Sequence, residues 1–134
     1  MGVVLRGLVL DYAGVLTDAG ASELLDVLER ARSVGIRTAL LSNAASGRPV
    51  RRSLSAYFDE QVFSGEVGVA KPDREVFLLT ADLLGVPADA CVFVDDAARN
   101  VAGAVAAGMV GVHHSSVSET LTELAVLFPS LRLP

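Results

Sequence analysis

Short apolar runs alternate with longer amphipathic segments along the whole chain. The first run covers residues 3–10, broken only by Arg6 and Gly7, and stops at Asp11. Unalternating apolar runs of this length fit strands buried on both faces. Further runs lie at residues 36–41, 61–63, 91–94 and 109–112. Between them the apolar period becomes helical. A helix starting at residues 18–22 carries Leu24, Leu25, Leu28 and Ala31, and Gly35 stands where it should stop. Residues 48–58, with Pro49 near the first turn, read as a short helix. Pro72 opens another, with Val76, Leu79 and Leu83 on its apolar face and Gly85 at its end. Residues 97–107 form a fourth, stopped by Gly108. Ser116 and Glu119 have capping-box spacing before a stripe of Val117, Leu121, Leu124, Ala125 and Phe128. Such alternation predicts an α/β fold with a five-stranded, mostly parallel sheet and right-handed crossovers. No repeat, low-complexity tract or linker divides the chain, so residues 1–134 read as one domain.

The composition supports this picture. The chain has 134 residues, and 51% are hydrophobic. Its mean hydropathy is +0.49, enough apolar content for a substantial core. No apolar run reaches the roughly 18 residues of a membrane-spanning helix. The N-terminus lacks a basic leader, so no signal peptide is expected. The net charge of −5 argues against a nucleic-acid surface, which needs a basic face. The only cysteine, Cys91, sits in an apolar run and reads as a buried structural thiol. A reducing, cytoplasmic setting is the expectation.

The strand ends carry the candidate chemistry. Parallel sheets gather reactive groups at the carboxyl ends of their strands. Here three runs end at Asp11, at Ser42-Asn43 and at Asp95-Asp96. Lys71, the sole lysine, lies in the loop Gly68-Val69-Ala70-Lys71-Pro72-Asp73. Each has an ordinary structural reading as well. Asp11 fits a turn, Ser42-Asn43 fits another, Asp95-Asp96 fit helix caps, and Lys71 fits a solvated side chain. Taken together they offer carboxylates for a hard cation, a hydroxyl and an amide for an oxyanion, and an ammonium. An Asp nucleophile in such a crevice forms an aspartyl-phosphate.

In order along the chain, Asp11-Tyr-Ala-Gly-Val-Leu-Thr17, Leu41-Ser42-Asn43, Ala70-Lys71-Pro72 and Val94-Asp95-Asp96-Ala-Ala-Arg-Asn100 resemble the four motifs of the haloacid dehalogenase-like (HAD) hydrolase superfamily. The resemblance implies a three-layer Rossmann-like fold and a magnesium-dependent hydrolase of phosphatase type. It implies Asp11 as nucleophile and magnesium ligand, and Ser42 as the phosphoryl-binding hydroxyl with Asn43 beside it. Lys71 would screen the charge. The carbonyl of Ala13 and the carboxylate of Asp96 would complete the metal site, with Asp95 and Asn100 behind them. A small phosphorylated substrate or a phosphoprotein is the implied partner.

Two departures from the family stand out. Most of its phosphatases carry a second Asp two residues after the nucleophile, which protonates the leaving group and then activates water. Ala13 occupies that place and can do neither. Losing a general acid or base costs on the order of 10²–10⁴ in rate, so a weak phosphatase is expected. The alternatives are a dehalogenase-type hydrolase, or a disabled relative that binds a phosphorylated ligand or protein partner. Phosphonatases of the family share the Ala but need a Schiff-base lysine, and Lys71 is already assigned. The second departure is size. About 30 residues separate Asp11 from Ser42, too few for a cap domain, and none fits after Phe63. A crevice left open this way excludes water poorly unless a substrate, a partner or a second subunit covers it, and a homodimer is one such arrangement. Arg48, Arg51 and Arg52 read as anion-recognising residues at its mouth or as a solvated face. His113-His114 fall near the same rim.

Overall fold

The structure, a computed structural model, describes residues 3–134. The strands are β1 (Gly7–Leu10), β2 (Arg37–Ser42), β3 (Glu60–Phe63), β4 (Cys91–Asp95) and β5 (Val110–His113). The helices are α1 (Ser22–Ser33), α2 (Arg51–Leu54), α3 (Ser64–Val67), α4 (Arg74–Leu84), α5 (Ala98–Ala106) and α6 (Val117–Leu127). The strands form one sheet in the order β3-β2-β1-β4-β5, and every pairing is parallel.

β1 holds the centre because all four of its residues are buried. Its pleat sends Leu8 and Leu10 to one face, where they pack with Leu24 and Leu28 of α1 and Leu124 of α6. Val9 points to the other face, among Val76 and Phe77 of α4 and Ala104 of α5. Two helical layers therefore cover the sheet. Each fully buried Leu or Phe contributes roughly 1.5–3 kcal/mol. Phe77 and Phe93 meet edge-on, with centroids 5.1 Å apart. Gly103 lets α5 close on the loop before α4, since a Cβ there would lie 2.6 Å from the Pro72 carbonyl oxygen. No cap domain is inserted between β1 and α1 or between β3 and α4, where only short turns and α3 intervene.

Several elements differ in extent from the pattern-based expectation. β1 begins at Gly7, not residue 3, and Val3 and Val4 are exposed. The helix expected over residues 48–58 shrinks to α2. Beyond it, the Ala56 carbonyl accepts from Arg32 and the Tyr57 carbonyl from Thr38, so neither continues a helical ladder. α4 buries Val76, Phe77, Thr80, Ala81 and Leu84, while Leu83 faces solvent. Only half of the capping box forms. Ser116 Oγ accepts from the Glu119 amide at 3.1 Å, but the Glu119 carboxylate takes the Ser115 hydroxyl.

Candidate active site

The register of the central strands builds the site. Leu10 pairs with Leu40 of β2 and with Val94 of β4. Asp11, one residue on, therefore comes level with Asp95, and its amide donates to the Val94 carbonyl at 3.0 Å. Ser42 ends β2 on the other flank. The loop before α4 delivers Lys71 from the side. Asn43 fixes that loop twice: its Oδ1 accepts from the Lys71 amide and its Nδ2 donates to the Lys71 carbonyl, both at 3.0 Å. The result is a crevice of about 320 Å³ that brings Asp11, Ala13, Ser42, Asn43, Lys71, Asp95, Asp96 and Asn100 together. Each residue nominated from the four motifs lies along it.

Lys71 Nζ donates to Asp11 Oδ1 at 2.7 Å and to Asp95 Oδ2 at 2.9 Å. All three side chains are buried, and the ammonium also lies 5.6 Å from the centre of the Phe93 ring. Burying one cation between two carboxylates offsets part of the cost of removing all three from water. Asp95 is fully committed. Its Oδ1 accepts from the Ala97 amide at 2.8 Å, and its Oδ2 also accepts from Asn100 at 3.1 Å. For Asp11, burial pushes the carboxyl up to about 6, against the pull of Lys71 and with a further push from Asp95.

After Asp11 the chain makes a kinked helical turn, Tyr12–Leu16, with extended geometry at Ala13 and a positive φ of 82° at Gly14. Glycine is required there twice over. An added side chain would be strained, and its Cβ would sit 2.2 Å from Asp96 Oδ2. The turn thus presses the backbone of motif one against the Asp96 carboxylate, which is exposed to the crevice. Asp11, Asp95 and Asp96 each offer an oxygen within 4.8 Å of the others. With both Asp95 oxygens occupied by donors, Asp11 and Asp96 are the carboxylates free to meet a cation. An all-oxygen set that leaves positions open for other ligands fits magnesium.

Some neighbours were not legible as parts of the site. His113 Nε2 donates to the Asp96 carbonyl at 2.8 Å, bracing that loop from β5. His114 is buried, with Nε2 3.0 Å from Asp18 Oδ2 and Nδ1 2.6 Å from Thr120 Oγ1. It ties the segment after the kinked turn to α6. Arg51 pairs with Glu66 and stacks over Phe63 rather than facing the crevice. Arg48 and Arg52 are exposed and do not line it. Cys91 is buried, and that burial raises its thiol to about 11, as suits an inert packing group.

The family model described as haloacid dehalogenase-like hydrolase matches residues 10–108. The chain belongs to that family. Phosphatase MT3486 of Mycobacterium tuberculosis is 35% identical over 105 residues, covering 75% of this chain and 48% of that protein. This HAD-like chain spans about half the length of the curated relatives it matches. An uncharacterized protein from Corynebacterium glutamicum superposes with a TM-score of 0.88 at 37% identity, covering 93% of this chain and 96% of that one. A HAD family enzyme from Bacteroides thetaiotaomicron, crystallised with magnesium and inorganic phosphate, shares the fold with a TM-score of 0.72 at 16% identity, covering 87% of this chain and 98% of that one. Family membership thus places the chain among the HAD-like hydrolases, and two of the relatives it matches are named as phosphatases. Among the described residues, no helix is long and apolar enough to cross a membrane.

Proposed function

We propose that the chain is a magnesium-dependent phosphatase of low turnover that acts through an aspartyl-phosphate on Asp11. The observation that carries this reading is the convergence of Asp11, Lys71 and Asp96 on one crevice. Asp11 attacks phosphorus. Lys71, bonded to the attacking carboxylate, offsets its repulsion from an anionic phosphoryl group. The Ser42 hydroxyl binds a phosphoryl oxygen, and Asn43 beside it holds the lysine loop. Asp11, Asp96 and the Ala13 carbonyl would hold Mg²⁺, which would supply charge neutralisation. Asp95 and Asn100 support the ligands from behind, Asp95 by holding Lys71.

The substrate is a small phosphorylated molecule or a phosphoprotein, acted on in the cytoplasm, and a second copy of the chain covers the open crevice. The exposed methyl of Ala13 in the crevice also favours a second reading. In it, the site binds a phosphorylated ligand or protein partner without turnover. Dehalogenation is less favoured, because the acidic set suits a cation.

Release of nitrophenolate from p-nitrophenyl phosphate tests the first reading. Wild type with Mg²⁺ should exceed Asp11→Asn. Equal rates would leave the binding reading in its place.

A further inference from the structure

We propose that the crevice takes its phosphoryl group from donors whose leaving group departs as a stable anion, acyl phosphates above all, and that Asp11 then keeps it. This rests on Asp11 being the nucleophile. Among the described residues lining the crevice, four titrate: Asp11, Lys71, Asp95 and Asp96. None is placed to give a proton to a leaving oxygen. Displacement at phosphorus runs in line, so the leaving group sits on the side of phosphorus away from Asp11. Lys71 bonds Asp11 itself, on the entering side, and is shared with Asp95. Both Asp95 oxygens are occupied by donors on a side chain with no exposure. Asp96, whose carboxylate lies with that of Asp11, would be committed to the cation. Ala13, which faces the crevice next to the reacting centre, offers a methyl.

An alkoxide leaving group therefore departs unprotonated, which is unfavourable. A carboxylate needs no proton. In the transfer, an Asp11 carboxylate oxygen forms a bond to phosphorus. The bond from phosphorus to the donor's acyl oxygen breaks, and the carboxylate leaves with the electron pair. The products are Asp11 acyl phosphate and a free carboxylate. The return step lacks a partner as well. Water attacking phosphorus must lose a proton while Asp11 leaves, and with Asp96 holding the cation no lining side chain would be left to accept it. A positioned base accelerates such a step by on the order of 10²–10⁴, so the phosphorylated chain is long-lived.

The test combines the protein with Mg²⁺ and acetyl phosphate and follows intact mass, with p-nitrophenyl phosphate run in parallel. Wild type should gain the mass of one phosphoryl group, and Asp11→Asn should not. Peptide mapping should place the group on Asp11. Nitrophenolate should appear as a burst and then slowly. Ala13→Asp, at an exposed position, should shorten the adduct's lifetime at least about 100-fold and speed steady phosphate release. Steady release of nitrophenolate and phosphate with no adduct would overturn the inference and leave the phosphatase reading standing. No adduct and no nitrophenolate would remove both. An adduct that persists in Asp11→Asn would overturn the inference by placing the chemistry elsewhere.

Discussion

Lys71 Nζ lies 2.7 Å from Asp11 Oδ1, and its other carboxylate partner, Asp95, has no exposed surface at all. The lysine is thus the cation that makes two buried anions tolerable. Lys71→Met strands both, and breaking a buried ion pair this way costs about 3–5 kcal/mol. Urea unfolding should show that loss, together with abolished nitrophenolate release. Lys71→Met combined with Asp95→Asn should recover part of the stability and none of the activity. Full stability in the single variant would deny the lysine this role.

The carboxyl of Asp11 fixes a pH dependence. Its ordinary value is 3.8, and burial raises it to about 6 in the folded chain. Between those values the folded state binds more protons than the unfolded state. Its contribution to stability therefore falls as pH rises through that window. Asp11→Asn should be the more stable protein above pH about 6, and the difference should shrink towards pH about 4. Nitrophenolate release should show the opposite limb, rising as Asp11 ionises. Mg²⁺ should move that limb to lower pH, because a cation favours the carboxylate. Denaturant midpoints and initial rates across the range check both signs.

Gly14 meets Asp96 at a distance that excludes any side chain. Gly14→Ala adds strain at a positive φ, about 1–3 kcal/mol, and displaces the carboxylate. Wild type should gain thermal stability when Mg²⁺ is added, by linkage. Gly14→Ala should start from a lower Tm and gain much less. An equal Mg²⁺-induced shift in both proteins would show that Asp96 does not need this contact.

The His114 imidazole joins Asp18 to Thr120 across the C-terminal edge of the sheet. His114→Ala leaves the Thr120 hydroxyl, 1% exposed, without that partner. The expected cost is about 1–3 kcal/mol, read by chemical denaturation. His114→Asn, which keeps one polar contact, should lose less.

The strand ends were legible because apolar runs that stop at polar residues mark both the sheet and its reactive edge. Asp11, Ser42, Lys71 and Asp96 could be nominated in that way, and all lie in one crevice. The partners that hold them were less visible, because tertiary pairing leaves no local pattern. The two hydrogen bonds between the Asn43 side chain and the Lys71 main chain span 28 positions, and the link from His114 to Asp18 spans 96. The helix at residues 48–58 failed for a related reason. Its later carbonyls are claimed by Arg32 and Thr38, which are distant in sequence. His113, which the sequence places only near the rim, braces the Asp96 loop through a backbone carbonyl, a contact independent of the side chain it supports.

Asn43 grips Lys71 by its backbone and leaves the ammonium to the carboxylates. That division of labour couples the end of β2 to the lysine loop, so the height at which the ammonium meets Asp11 is inherited from the register of a neighbouring strand.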